Sequence, residues 1–552
     1  MKVASLRRAF GCGLFATAVL ALLSSTSLRG ASAPLFENIG NHQHTVTTSS
    51  PLAQKYFNQA LALLYNFNHT EAIRSFKAAQ EADPTCAMAF WGEALAYGPH
   101  VNAPMFPENL APANAALTKA AALAGGVTMR ERAYIEALAT RYPAEPVDDR
   151  SSYDAAYAAA MAKVAASYPD DHDAAVLHAE AIMDTTPWNY WLPTGEPKPE
   201  MRVAIAALEG VMLRQPMHSG ANHLYIHAVE AGPSPHLAEA AADRLFTAVP
   251  ALGHLTHMPA HIYLRMGRYE DAIDSNLRAI QADERYIASC LAQGFYPGVY
   301  YPHNVHFLWQ AQLLTGRSTE AIASARKVSD YANAALCGTP VVEAPRFRHL
   351  VLVTWARFGK WDEILAEPSP SAEAEFVVDR AAWHYARALA QLAKGDTEAA
   401  VVEAAAFSKE SSSDDAAKAA ENPYFPVRQV LKVAGHLIDG KIAEAQGDKE
   451  KMVAELTAAV DAQDKMPYME PPFWFYSARE TLGAALLRAG DAKGAEAAFR
   501  GDLRVFPRNS WGLLGLSESL KAQGREADAA SVQREFAAAW SHADTKLDLA
   551  WF

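Results

Sequence analysis

The sequence predicts an all-α protein built as a right-handed solenoid of about eleven to twelve helix-turn-helix units. Three observations predict it. A Gly or polar turn followed by an Ala-bearing helix recurs along the chain, as in 267–284 (GRYEDAIDSNLRAIQADE), 395–405 (GDTEAAVVEAA), 490–507 (GDAKGAEAAFRGDLRVFP) and 524–536 (GREADAASVQREF). An apolar helix of about 14 residues precedes each turn. A Pro often closes the second helix about twelve residues after the key Ala, so the units share one frame.

This pattern of large apolar, Leu-Gly/Ala, aromatic, Ala and Pro positions resembles the tetratricopeptide (TPR) repeat, in which two antiparallel helices pack per ~34 residues. With the Gly or the Pro as register mark, units start near Ala53, Ala87, His172, Ser219, Gly253, Pro302, Pro345, Ala381, Val433, Tyr476 and Ser510. A degenerate unit falls between 115 and 169. The TPR-like array divides into N-terminal units (34–170), central His-rich units (171–344) and C-terminal units (345–552). Three stretches rich in Pro and aromatics break the period, at 184–200, 285–302 and 465–477. They read as ordered loops, since flexible linkers are rich in Gly and Ser.

Residues 1–33 stand apart. Lys2, Arg7 and Arg8 precede an apolar run from Gly11 to Leu23, and Ala31-Ser32-Ala33 supplies small residues for cleavage, which is the pattern of a secretory signal peptide. The expected location is therefore periplasmic or secreted. Without those residues the chain carries 45 basic against 62 acidic side chains, a net −17. That charge argues against nucleic acid or anionic lipid as partner. No later run is long and apolar enough to predict a membrane span. Cys86, Cys290 and Cys337 are too few for a disulfide scaffold, and a Cys290–Cys337 bridge is left open.

The chemistry concentrates between His218 and His306, where nine of the 19 histidines fall in 89 residues. In the repeat frame His223 and His227, then His254, His257 and His261, then His303 and His306 take equivalent places on the first helices of three consecutive units. At ~100° per residue these places form one helical face, turned about 140° from the packing face. That face is expected to line the concave groove of the solenoid. His-x-x-x-His pairs put two rings one turn apart, near enough to share an ion. Imidazole is the common ligand of Zn, Cu, Fe and Ni, and a donor set of histidines with few carboxylates favours copper or zinc, with iron as a further option. Seven such histidines exceed one tetrahedral zinc, so one or two ions are expected.

Glu230, one turn beyond His227, is the candidate catalytic residue, as ligand, orienter of a ring or general base. Trp188 and Trp191, then Tyr296, Tyr300 and Tyr301, precede the His helices and are the candidates for lining a small-molecule site. In the equally aromatic stretch 470–480 (EPPFWFYSARE), Arg479 or Glu480 is a further candidate for facing the groove. His218 and His236 fall off the face and read as turn or cap residues, and His349 is an outer candidate. His42, His44, His69, His100, His172 and His178 show no helical clustering and read as surface or packing residues. Gly-rich phosphate loops, G-x-S-x-G, H-E-x-x-H and C-x-x-C-H are missing from the sequence.

The stretches CAMAFWGEALAYGP (86–99), GANHLYIHAVEAGPSPH (220–236), GHLTHMPAHIYLRMGRY (253–269), YYPHNVHF (300–307) and EPPFWFYSARETLGAALL (470–487) resemble a group of secreted bacterial TPR proteins. The resemblance implies export and the TPR-like fold. It implies no activity. Two functions follow from the residues: a metal-binding solenoid, acting as a metal-dependent oxidoreductase or hydrolase on a small molecule, or a scaffold whose groove binds a peptide or protein partner.

Overall fold

The computed structural model describes residues 33–292, 294–335 and 347–552. Helix follows helix throughout, and among the described residues no strand forms. No described helix is long and apolar enough to cross a membrane. Residues 1–32, nearly all of the segment expected to be a signal peptide (1–33), and Cys337 lie outside the described residues.

The repeat signature becomes antiparallel helix pairs. Pro51–Tyr65 pairs with His69–Ala82, Val377–Ala393 with Thr397–Ser411, Val427–Ala445 with Lys449–Asp464, and Ser510–Ala522 with Glu526–Ala539. The turn between helices explains the Gly-Asp dipeptides of the sequence. Gly447 sits at φ 75°, in the left-handed region that a residue without Cβ enters freely. The Asp448 carboxylate that follows accepts the Lys451 N–H and caps the next helix. Asp396 and Asp491 cap their helices in the same way. A second glycine position is set by packing. A Cβ on Gly483 or Gly515 would lie 2.8 or 2.1 Å from the Phe499 ring, so this aromatic is seated between two helices that approach closely.

Two departures from the sequence reading matter for the site. The stretch 285–302 is not a loop: Tyr269–Cys290 runs through its first part and Phe295–Leu314 through its last, leaving a short break between. Pro297 falls in the first turn of the second helix, where a missing N–H costs nothing, so proline content misled. The second departure is larger. The His-bearing face does not line an open groove. His223, His227, His254, His257 and His261 are 0–3 % exposed.

The cause is that the array folds back on itself. Asn66 of the first pair accepts the Leu255 N–H and donates to the Tyr296 hydroxyl, and Asn38 O accepts from Ala251. From the other end, the Tyr269 hydroxyl donates to Pro507 O, Trp511 Nε1 to Leu313 O, and the Asp544 carboxylate caps the Ser318–Ala335 helix at Ser318 and Thr319. Both ends of the chain thus close over the central helices.

Candidate metal centre

Three segments carry the histidines. Ser219–Val229 begins at His218, whose Nδ1 accepts the Ala221 N–H as the N-cap, and presents His223 and His227 one turn apart with ring centroids 4.8 Å apart. Gly253–His257 and Pro259–Met266 carry His254, His257 and His261, two short helices that meet at Met258, where Pro259 removes an N–H and interrupts the ladder. Phe295–Leu314 brings His303 to the same place. A Cβ on Gly253 would lie 1.9 Å from the Asp283 carboxylate, so glycine is required for this close seating.

Two trios result. The ring nitrogens of His223, His227 and His254 lie within 4.8 Å of one another, as do those of His257, His261 and His303. The trios adjoin, with 5.8 Å between the His227 and His261 ring centroids. His306 does not join either trio. Its ring stacks on Trp309 at 5.2 Å and meets Phe347 edge-on. His349 precedes the Leu350–Arg357 helix, also outside the trios.

The proton placement is set by what each Nδ1 touches. His223 Nδ1 is 2.7 Å from the Tyr65 carbonyl, an acceptor, so that nitrogen holds the hydrogen and Nε2 keeps its lone pair. His257 Nδ1 is 2.7 Å from Asn276 Oδ1, and the Asn276 amide nitrogen is committed to Ala272 O, so His257 Nε2 is likewise bare. His227 Nδ1 donates to Glu230 Oε1 at 2.7 Å and His261 Nδ1 to Glu230 Oε2 at 2.5 Å. One buried carboxylate therefore orients one ring from each trio.

These assignments leave the lone pairs of His257 and His261 aimed at each other. His254 Nδ1, in contrast, has no partner, so the His254 Nε2–H is free to donate to the His223 lone pair. His257 Nε2 and His261 Nε2 are 2.9 Å apart, and His223 Nε2 and His254 Nε2 are 3.1 Å apart. Two neutral rings with both Nδ1 atoms committed cannot hydrogen-bond through Nε2, so the His257–His261 contact needs a cation, either a proton or a metal. Two imidazole ligands of one tetrahedral ion at ~2.05 Å stand about 3.3 Å apart, close to the observed separations.

Electrostatics keep most of these rings neutral. Burial, reinforced by neighbouring histidines, holds His223, His254 and His257 well below the ordinary value, and His227 is lowered chiefly by burial. His261 departs: burial pulls it down, but the charge and hydrogen bond of Glu230 outweigh this and raise it. Glu230 itself is held down at about 2, its burial overcome by His261 and His227. With each oxygen accepting a ring N–H, Glu230 is placed to orient one ring of each trio.

The aromatic candidates divide. The Tyr300 ring lies 4.3 Å from His254 and Trp188 edge-on to His227 at 5.3 Å. Tyr296 is structural, its hydroxyl donating to Asp283 and accepting from Asn66 and the His254 N–H. Trp191 donates to Ala228 O and packs against Gly232. Tyr301 points elsewhere, to Glu284 and Tyr331. Glu480 is buried against Arg357 and Asn509, and Arg479 pairs with Asp464. Neither reaches the trios, and Glu470 does so instead, with Oε2 3.6 Å from His261 Nδ1.

His69 and His100, expected to be surface or packing residues, lie near the first trio around Phe67, which the sequence did not single out. Phe67, at φ 53°, inserts its ring 4.4 Å from His100 and His223 and 5.3 Å from His254. His69 is 4.5 Å from His100, and burial lowers it to about 4. The fold keeps His69 neutral while the unfolded chain takes a proton near pH 6.5. Its contribution is therefore complete above that pH and is lost on acidification down to about 4. Urea titrations of wild type and His69→Phe at pH 7 and pH 4 should show the stability gap moving by about 3 kcal/mol against the wild type. An unchanged gap would mean that His69 is protonated in the fold.

A second cluster behaves differently. Asp173 accepts from the Tyr65 hydroxyl (2.6 Å), His44 Nδ1 (2.8 Å) and His218 Nε2 (3.2 Å), with His42 Nε2 also 3.2 Å away. Because His218 Nδ1 accepts a backbone N–H, its Nε2 must carry the proton and has no lone pair to offer. The cluster pins the N-terminal segment to the central helices, so His42 and His44 are packing residues and His218 is the expected cap.

No family model and no curated protein matches this chain. Among solved structures, the human IFIT1 dimer with m7Gppp-AAAA is similar at 13 % identity over 89 % of this chain and 90 % of that one, with a TM-score of 0.32. Yeast Tom70 is similar at 10 % identity over 89 % and 92 %, with a TM-score of 0.26. The P58(IPK) TPR domain follows at 12 % over 86 % and 98 %, with a TM-score of 0.22. The TPR-like fold assignment rests on the helix pairs and turn geometry above.

Proposed function

We propose that the protein binds one or two transition-metal ions, with copper or zinc favoured and iron a further option, through His223, His227 and His254 and through His257, His261 and His303. The observation that carries this reading is the set of committed Nδ1 atoms. Four rings spend their N–H on Tyr65 O, Glu230 or Asn276 and leave their Nε2 atoms to other partners in a buried interior, those of His257 and His261 facing each other. Oriented histidines with such partners behind them are how proteins build metal sites. The adjoining trios suit a centre acting on a small molecule, as oxidoreductase or hydrolase. The N-terminal basic, apolar and small-residue pattern supports export. A peptide-binding groove, the alternative, draws less support, because the histidine face is covered.

Protein purified without a His tag and dialysed against a weak chelator should retain one to two equivalents of metal by elemental analysis. Sub-stoichiometric metal that leaves on mild dialysis would sink the reading. An absorption or EPR spectrum then separates copper from zinc.

A further inference from the structure

Beside the trios, among Pro259–Met266, Phe295–Leu314 and the 465–477 segment, lies a cavity of about 470 Å³. Small-molecule sites run to roughly 300–1,000 Å³. Its walls include Leu264, Leu314, Met466, Phe473, Trp474 and Phe506. Two of its buried lining side chains carry an oxygen that no protein group donates to. Glu470, 6 % exposed, has Oε1 taken by the Tyr468 hydroxyl and Oε2 without a hydrogen-bond partner. Gln310, 1 % exposed, donates its amide nitrogen to Phe475 O and leaves Oε1 unmatched.

The cations of the wall are already engaged. Arg265 donates to the Glu230 and Gly232 carbonyls, and Arg479 to both oxygens of Asp464, while Arg504 is exposed at the rim. Beside these two unmatched acceptors the same wall holds one unmatched donor, the Trp474 indole N–H, and buried polar groups are ordinarily satisfied.

We propose that this cavity binds a small apolar molecule of aromatic type carrying a hydroxyl or amino group, whose hydrogen is given to Glu470 Oε2 or Gln310 Oε1. The proposal goes beyond the metal reading and stands without it. Glu470 Oε2 is 3.6 Å from His261 Nδ1, so the bound donor group sits one carboxylate away from a trio.

The test titrates phenol, benzylamine, toluene and benzoate into the full-length protein, metal-stripped and as purified, with NMR detection. Phenol or benzylamine should bind at least tenfold tighter than toluene in both preparations, with benzoate weakest, and whichever binds better names the donor. Gln310→Leu, which leaves the trios untouched, or Glu470→Gln should reduce that preference at least threefold. Equal binding of all four probes, no binding at millimolar concentration, or a preference indifferent to both substitutions would overturn the proposal. So would binding lost on metal removal, which would put the ligand on the ion. Metal retained without ligand binding overturns this proposal alone, and ligand binding by protein that holds no metal as purified overturns the metal reading alone.

Discussion

Replacing His257 and His261 together by alanine should remove at least one equivalent of metal per chain and leave the circular dichroism of the helices unchanged. The two rings supply two of the three nitrogens of one trio, and a lone remaining histidine holds an ion weakly. His306→Ala is the matched control. It belongs to the same helical face in the sequence but stacks on Trp309 instead of joining a trio, so its metal content should match the wild type. Metal that survives the double substitution, or departs with His306 in a folded protein, would refute the assignment of ligands. Glu230→Gln should weaken metal binding by ~10–100-fold, since it loosens one ring in each trio.

Phe67→Ala should destabilise the protein by about 3–5 kcal/mol, read as a lowered urea midpoint. The ring is fully enclosed and touches His100, His223, His227 and His254, so its removal opens a void that polar rings line on several sides. Phe67→Leu refills much of that volume and should cost far less. Equal losses for the two substitutions would show that refilling the volume does not help, and that the contacts of the flat ring with the histidines govern the position.

The fold was legible because a repeat writes the same packing problem many times. Gly447, Asp448 and the aromatic-glycine seats of Phe499 each satisfy a local rule that the sequence states directly. The face shared by His223, His227, His254, His257, His261 and His303 was legible for the same reason, being a matter of helical angle. Its surroundings were not. Asn276 reaches His257 from the next helix, 19 residues on, while Phe67, the Tyr65 carbonyl and Glu470 reach the histidines across more than 150 residues by closure of the array, which no periodicity encodes. His306 shares the angle yet stacks on Trp309, because angle on one helix does not say which neighbour a side chain meets. The stretch 285–302 was misread because Pro297 near a helix start and Pro302 inside the helix look like loop residues.

The closure of both ends over the centre changes how the molecule loses its structure. An open repeat array can shed a terminal unit at the expense of one interface, since each unit leans only on its neighbours. Here the first helix pair supplies Tyr65 and Phe67 to the histidines, and the last units hold Leu313 and the start of Ser318–Ala335. Trimming either end would uncover the middle, so the chain behaves as a ring under common tension, not as a row of independent modules.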